Sequence, residues 1–210
     1  MTGELTAALV ELRRDEVLAE VGTRIKEGED ALGILDDCRQ GMTTVGDRFQ
    51  KGDYYLAELM LSAEIFKEAL AILQPYLDRS HPSEPLAKVV LATLRGDIHN
   101  LGKDIVATLL QAHGFEVHDL GVDVPPSQVL AKVKEIRPRF VGFSALITTA
   151  FASMKAAEEM LQKAGLRGDI KLMIGGGVTT SLTRDYVGAD FQTLDAMQGV
   201  RYCLSVTGGG

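Results

Sequence analysis

The sequence predicts a two-part protein of the α/β class: an N-terminal helical bundle followed by a flavodoxin-like (Rossmann-like), doubly wound sheet of five parallel strands. Up to residue 77 the apolar residues recur at helical spacing. Residues 78–85 are polar and hold two prolines, a composition typical of a linker. From residue 88 short strand-like runs alternate with helical segments, the pattern of a parallel sheet covered by helices on both faces. We therefore expect a helical domain at residues 1–80 and an α/β domain at residues 86–210.

The helical part is indicated by aliphatic residues that share a helix face. Two such faces are formed by Leu5, Leu9 and Leu12, and by Val17, Val21 and Ile25. A longer apolar stretch covers residues 54–76 and contains one proline, Pro75. The chain has no tryptophan and few other aromatic residues, so we expect an aliphatic core.

The second part shows both strand and helix signals. Strands are expected at residues 88–94, 115–120, 140–144, 170–174 and 190–193. Helices are expected at residues 102–112, 127–136, about 151–164, about 181–187 and 195–204. Gly114 is placed to end the first of these helices, and Ser127 to cap the start of the second.

Composition narrows the function classes. The net charge of -7 argues against a nucleic-acid-binding surface. No apolar run approaches the length of a membrane span, and the N-terminus lacks the pattern of a signal peptide, so we predict a cytoplasmic protein. Cys38 and Cys203 lie far apart and do not have metal-ligand spacing, which favours two buried free thiols.

A glycine-bounded loop follows the first predicted strand, at residues 96–102 with the sequence GDIHNLG. In an open α/β sheet, ligands bind at the carboxyl ends of the strands. His99 can offer one ring nitrogen to a metal, while Asp97 accepts the proton of the other and selects the tautomer. Alone, this Asp-x-His pattern is more often a loop histidine that only holds backbone groups.

Two further segments change that interpretation. Ser144 and Leu146 follow the third predicted strand, and a glycine run, Gly175–Gly177, follows the fourth. Between the Asp-x-His-x-x-Gly motif at Asp97–Gly102 and Ser144 lie 41 residues, and 28 residues lie between Leu146 and Gly175. Taken in this order and spacing, the three motifs resemble the signature of cobalamin-binding domains.

The resemblance implies a cobalamin or related cobamide, bound with its lower base displaced from cobalt. It makes His99 the axial cobalt ligand and Asp97 the hydrogen-bond partner of His99. The predicted cofactor-binding residues of the α/β domain are Gly96, Asp97, His99, Asn100, Leu101, Gly102, Ser144, Leu146, Thr148, Thr149, Gly175, Gly176 and Gly177. The glycines are expected to leave room for the nucleotide tail, although a tight strand-to-helix turn would also explain them.

Two positions depart from the family pattern. Methionine synthase relatives carry a hydroxyl residue four positions after the leucine, where this chain has Ala150. A proton relay beyond Asp97 is then expected to end in water, or in Thr148 or Thr149. The second departure is Asn100, where the family often has aspartate.

The segment from Phe49 to Leu59 resembles the helical cap that covers the corrin in methyl-carrying corrinoid proteins. Its predicted shielding residues are Phe49, Tyr55, Leu56 and Leu59. Apolar residues at helical spacing are more often plain bundle core, so the cap interpretation depends on the motifs of the second domain.

The resemblance implies a methyl carrier of a cobalamin-dependent methyltransferase system rather than a complete enzyme. Such a protein accepts a methyl group on Co(I) and delivers methyl-Co(III) to a partner. Its partners are a substrate-specific methyltransferase, an acceptor methyltransferase that uses tetrahydrofolate or a thiol, and a reductive activator, with residues around 80–85 as a hinge.

Three alternatives remain open. A carbon-skeleton mutase subunit would not need the helical cap. A cobalamin-dependent sensor would need a DNA-binding module, and no basic helix-turn-helix precedes the cap. A flavodoxin-like protein that binds no corrinoid would leave the three spaced motifs unexplained.

Overall fold

The computed structural model of the chain describes residues 2–80 and 85–208. The chain divides into two compact units, Met1–Glu84 and Pro85–Gly210. The centre of the expected linker and hinge, residues 81–84, lies outside the described residues. No described helix is both long and apolar enough to cross a membrane.

The first unit is helical. Its helices are α1 (Thr2–Val10), α2 (Arg14–Lys26), α3 (Ala31–Lys51) and α4 (Leu56–Ser80). Helix α3 packs against α1 and α4 through a stripe of buried residues that includes Ile34, Cys38 and Met42. A Cβ added at Gly41 would lie 2.9 Å from Cδ2 of Leu9, so glycine lets α1 approach α3 closely. The predicted helical bundle is confirmed.

Leu12 does not extend the face of α1 as expected. It lies between α1 and α2 with a φ of 61°, in the left-handed region, whereas Leu5 and Leu9 are fully buried in the core. Helix α3 ends at Gly52, whose φ of 80° is the left-handed geometry that glycine adopts without strain. The start of α4 is capped by the Glu58 carboxylate, which accepts a hydrogen bond of 2.9 Å from the Tyr55 amide.

The second unit contains a five-stranded parallel sheet. Its strands are β1 (Lys88–Thr93), β2 (Glu116–Asp119), β3 (Phe140–Ser144), β4 (Lys171–Gly175) and β5 (Phe191–Thr193). Its helices are α5 (Leu101–Ala112), α6 (Pro126–Ile136), α7 (Ala150–Lys163), α8 (Ser181–Val187) and α9 (Ala196–Thr207). All strand pairs are parallel, in the order β2-β1-β3-β4-β5. This is the flavodoxin-like order, so the predicted fold class is confirmed.

Helices cover both faces of this sheet. Val90, Val141 and Leu172 point to the face that packs on α6, α7 and α8. On the other face α5 packs beside α9, and the Cys203 thiol lies 3.5 Å from the Met173 sulfur. The central strands β1, β3 and β4 are therefore almost continuously apolar, as strands buried on both faces must be.

The structure differs from the expected elements at two places. Helix α6 begins at Pro126 with Pro125 as its N-cap, so Ser127 lies inside the first turn and is not the cap. Proline is favoured there because its missing N–H would have no helical partner in any case. A short 3-10 turn at Arg167–Asp169, which the sequence pattern did not predict, leads into β4.

Candidate cofactor site at the carboxyl edge of the sheet

The three sequence motifs lie side by side because the strands that precede them are neighbours. Strand β3 pairs with β1 and β4, with Thr93 opposite Ser144 and Ser144 opposite Gly175. The loop after β1 carries the Asp-x-His pair, the loop after β3 carries Leu146, and β4 runs into the glycine run. Segments that are far apart in sequence thus meet at one edge of the sheet.

Asp97 is the centre of this edge. Its side chain is fully buried, and both carboxylate oxygens accept hydrogen bonds. Oδ1 accepts from the backbone N of His99 at 2.9 Å and pairs with the Nδ1 atom of the same ring at 2.7 Å. Oδ2 accepts from the backbone N of Leu146 at 2.7 Å and of Ile147 at 3.2 Å. One carboxylate therefore joins the loop after β1 to the loop after β3.

The hydrogen bonds set the charge of Asp97. Burial acts to raise the pKa of this carboxyl, but the backbone N–H groups of His99 and Leu146, followed by the His99 ring and the Ile147 amide, lower the pKa below its ordinary value. Asp97 is therefore ionised at neutral pH and accepts the proton on Nδ1 of His99. The second ring nitrogen of His99, Nε2, then carries the lone pair.

His99 itself is accessible. Its side chain is 49% exposed although its partner Asp97 is 0% exposed. Its backbone carbonyl accepts a hydrogen bond of 3.1 Å from the hydroxyl of Thr93, the last residue of β1. The ring is thus held at Nδ1, and Nε2 is left to face a ligand. Among the described residues no group of three or more His, Cys, Asp or Glu side chains could hold a metal ion by itself.

The glycine run has a structural reason of its own. Gly176 has a φ of 100°, and a Cβ on it would lie 2.1 Å from the carbonyl oxygen of Ala145. A Cβ on Gly175 would lie 3.0 Å from the carbonyl oxygen of Thr193, and one on Gly177 would lie 3.1 Å from Cδ1 of Leu146. The tight-turn explanation therefore holds for Gly176 whether or not a ligand is bound.

Gly102 is different, because the fold does not require glycine there. It lies in the first turn of α5, its φ is not in the left-handed region, and a Cβ would meet only the Ser144 hydroxyl, at an ordinary 3.9 Å. Glycine in a helix costs about 1 kcal/mol relative to alanine. The open space beside Gly102 is consistent with the predicted cradle, and its role toward a ligand stays a prediction. Gly96, with a φ of 94°, instead forms the sharp turn that precedes Asp97.

Exposed apolar side chains surround the histidine. Ile98 is 71% exposed, and Leu101 and Leu146 are also exposed. Apolar residues left in water beside an accessible ring nitrogen are typical of a site that a large apolar ligand covers. Exposed Thr148 and Thr149 add hydroxyl groups at the same edge. Asn100 donates a hydrogen bond of 2.7 Å to Asp104 at the start of α5.

The Asp97 carboxylate is bonded by backbone amides and the His99 ring, and by no hydroxyl of the described residues. Ala150 is fully buried as the first residue of α7. The Oδ2 atom of Asp97 is occupied by the Leu146 and Ile147 amides, rather than by the hydroxyls of Thr148 or Thr149. Sequence reasoning missed these amides, as it missed Thr93 and Asp123, which hold the loop after β1.

In the helical unit, the four predicted shielding residues differ in exposure. Tyr55 is 73% exposed, whereas Phe49 and Leu56 are half-buried. Leu59 is fully buried in the structure, as the bundle-core alternative expects. A shielding role for these residues stays a prediction, and Tyr55 offers the most surface for it.

Comparison with known proteins agrees with the geometry. Residues 87–200 match a family model described as a B12 binding domain, and residues 2–74 match a second model with the same description. The dimethylamine corrinoid protein of Methanosarcina barkeri is 36% identical over 94% of this chain and 92% of its own length.

Two solved structures are similar over nearly the whole chain. A cobalamin-binding protein from Desulfitobacterium hafniense has a TM-score of 0.84 and 36% identity, covering 98% of each chain. A chain of the methanol:cobalamin methyltransferase complex MtaBC from Methanosarcina barkeri has a TM-score of 0.82 and 28% identity, covering 99% of this chain and 79% of that one. This chain therefore belongs to the family of B12-binding corrinoid proteins.

Proposed function

We propose that this chain is a methyl carrier that binds a cobalamin or related cobamide in the base-off form, with His99 as the axial cobalt ligand. The observation that carries the proposal is the buried, ionised Asp97 bonded to Nδ1 of an exposed imidazole. When bound, the corrinoid supplies a cobalt ion that takes up a methyl group in its reduced state and releases it to an acceptor. A corrinoid cofactor itself follows from membership of the family.

The residues around His99 prepare it for this role before any ligand arrives. Asp97 raises the donor strength of Nε2 by accepting the proton on Nδ1. The amides of Leu146 and Ile147 hold the carboxylate in place. The carboxylate in turn holds the ring through its contact of 2.7 Å with Nδ1. The glycines at Gly102 and Gly177 keep the edge open for the nucleotide tail of the base-off cofactor.

The helical unit is proposed to shield the upper face of the corrin. Phe49, Tyr55 and Leu56 have surface available for this contact. Leu59 supports them from the core. Their function is to exclude water and oxygen from the site.

Removal of residues 1–84 should then leave corrinoid binding intact in the α/β unit and speed the aerobic photolysis of the methylated cofactor. Equal photolysis rates with and without the helical unit would contradict shielding.

The proposed partners are a substrate-specific methyltransferase, an acceptor methyltransferase that uses tetrahydrofolate or a thiol, and a reductive activator, all in the cytoplasm. The relatives named for dimethylamine and trimethylamine make a methylated amine the first donor to test. Methanol is the second, because a chain of similar structure belongs to a methanol:cobalamin methyltransferase. The two donors can be separated by assay with each purified methyltransferase.

The test of the ligand is electron paramagnetic resonance of the Co(II) form. The full-length protein is reconstituted with hydroxocobalamin, reduced, and prepared with natural-abundance or ¹⁵N-labelled histidine. We expect nitrogen superhyperfine splitting that changes from three lines to two when histidine is labelled. A pattern that does not respond to the label would show that the cofactor keeps its own base or takes another ligand.

A further inference from the structure

The loop between β2 and α6 is hydrogen-bonded to the turn that carries Asp97. It continues the pairing of the sheet beyond the end of β2, because Leu94 and Val124 form a parallel bridge. Val124 N donates to Thr93 O at 3.0 Å, and Arg95 N donates to Val124 O at 2.9 Å. The segment before Asp97 is therefore paired through backbone hydrogen bonds, as a strand is, although it lies past the end of β1.

Within this loop, Asp123 makes two contacts that bracket Asp97. Its carboxylate Oδ1 accepts a hydrogen bond of 2.8 Å from the Gly96 amide. Its own amide donates a hydrogen bond of 3.0 Å to the carbonyl of Asp97. Asp123 adopts a φ of 53°, a left-handed conformation that is uncommon outside glycine but is tolerated by aspartate and asparagine. This conformation lets one residue reach both sides of the turn.

The start of the same loop is anchored on α5. Lys103, which is buried, forms ion pairs with Asp104 at 2.6 Å and with Asp119. Asp119 Oδ1 also accepts a hydrogen bond of 2.8 Å from the Gly121 amide. Gly121 in turn accepts a hydrogen bond of 3.0 Å from the amide of Thr93. The loop thus has a charged anchor at one end and Asp123 at the other.

We propose that Asp123 is a positioning residue, which holds the Gly96–Asp97 turn so that the Asp97 carboxylate meets the His99 ring and the amides after β3 before a corrinoid binds. The proposal rests on His99 being the cobalt ligand. Asp123 does not contact His99 itself, and its effect reaches the ring only through the backbone of Asp97. Because Asp123 and Gly96 are exposed, water can replace their hydrogen bond, and its loss should alter loop geometry more than stability.

Two variants separate the hydrogen bond from the backbone conformation. Asp123→Asn keeps an oxygen acceptor and tolerates the left-handed φ. Asp123→Gly removes the acceptor but accepts the same φ without strain. The matched control is Arg137→Gly, because Arg137 has a φ of 49° at the C-terminal end of α6, near the opposite edge of the sheet. Any general effect of glycine at a left-handed position should appear in that control as well.

The experiment uses two readouts on the full-length chain. Amide hydrogen exchange of the cofactor-free protein reports the His99 and Leu146 amides, both of which donate to Asp97. Retention of hydroxocobalamin and electron paramagnetic resonance of its Co(II) form report axial ligation. For Asp123→Gly we expect faster exchange at both amides and about tenfold weaker retention, the low end of the roughly 10–100-fold effects of outer ligand partners. Melting temperature should not change.

Asp123→Asn and Arg137→Gly should match the wild type in every readout. Wild-type exchange and retention in Asp123→Gly would overturn the proposal, and so would an equal defect in Asp123→Asn. If the wild-type protein shows no histidine ligation to cobalt, the proposed function is wrong. The exchange measurement on the cofactor-free chain would still decide whether Asp123 positions the turn.

Discussion

Arg24 of the helical unit and Asp97 of the α/β unit are both buried charges, but they are neutralised in different ways. Arg24 is 2% exposed and is paired with two carboxylates, bonding Glu29 at 2.7 Å and Asp37 at 2.8 Å. Within the described part of the chain no lysine or arginine bonds Asp97, which is held by three backbone amides and an imidazole. The positive charge of Arg24 is thus neutralised by carboxylates of the same helical unit.

The pKa directions express the same contrast. The hydrogen bond to Glu29 is the main cause that raises the pKa of Arg24. Burial opposes this rise and Asp37 adds to it, so Arg24 stays charged at every ordinary pH. Asp97 is stabilised as an anion largely by neutral donors, and its one titratable partner, His99, extends to the surface. The partner of Asp97 is therefore open to solvent, whereas Arg24 of α2 pairs with Glu29, between the helices, and with Asp37 of α3. This difference is what we expect if Asp97 serves the proposed cofactor site and Arg24 serves only the stability of the helical unit.

The largest effect is expected from His99→Ala, which removes the only part of this arrangement that a metal would contact. Nitrogen superhyperfine splitting from the protein should disappear, and retention of corrinoid on gel filtration should fall. The buried nucleotide tail should still give residual binding, and far-ultraviolet circular dichroism should be unchanged. The control is His118→Ala, since His118 pairs with Glu116 on β2. A wild-type spectrum in His99→Ala would show that the ligand is another group.

Asp97→Asn should have a smaller effect on the same readouts. Its amide nitrogen must face either the Leu146 and Ile147 amides or the Nδ1 proton, so at least one donor loses its acceptor. We expect a loss of roughly 10–100-fold in corrinoid affinity, measured by equilibrium titration. The control is Asp185→Asn, because Asp185 is an exposed partner of Arg184 on α8. If both variants bind as the wild type does, Asp97 does not tune the ligand.

Arg24→Met tests the other side of the comparison. It should destabilise the helical unit by about 2 kcal/mol, less than the roughly 3–5 kcal/mol of a fully buried broken pair, because Glu29 can still reach water. Urea unfolding followed by circular dichroism measures the change. The exposed Arg14, paired with Glu68 on α4, is the control, and Arg14→Met should change little. If Arg24→Met altered the axial ligation of cobalt, Arg24 would also act on the cofactor site, and the two buried charges would not differ as proposed.

The last prediction concerns two buried thiols, whose ionisation has no effect on stability at neutral pH and acts only in alkaline solution. Burial raises the pKa of the thiols of Cys38 and Cys203 to about 12, from an ordinary value of 9.0. Both thiols should therefore resist a disulfide reagent at pH 8 and react fully in urea. The unfolded chain ionises first as pH rises, so stability should fall between pH 9 and 12. Rapid reaction of the native protein would show that these residues are reached by solvent.

Much of this architecture was predictable because it depends on periodic patterns. The alternation of apolar runs and helical segments from residue 88 predicted a flavodoxin-like sheet of five parallel strands. Each of the three short motifs was predicted to follow a strand, where parallel sheets bind their ligands. The Asp-x-His pattern drew attention to Asp97 and His99, but their predicted role came from the resemblance of three motifs to cobalamin-binding domains. The helical unit was also predicted, although Leu12 falls outside α1 because its backbone turns there.

What the tertiary structure decided is which partners these residues meet. The donors to Oδ2 of Asp97 are backbone amides 49 and 50 positions along the chain, and every residue except proline has such an amide, so the sequence carries no signal for them. The same holds for Gly176, whose need for glycine arises from a carbonyl on another strand's loop, and for Asp123, whose role depends on a φ of 53°. By itself the sequence determined the chemical groups and the edge where they collect. Only the packed chain determined their hydrogen bonds, because those depend on distances between segments that no local pattern encodes.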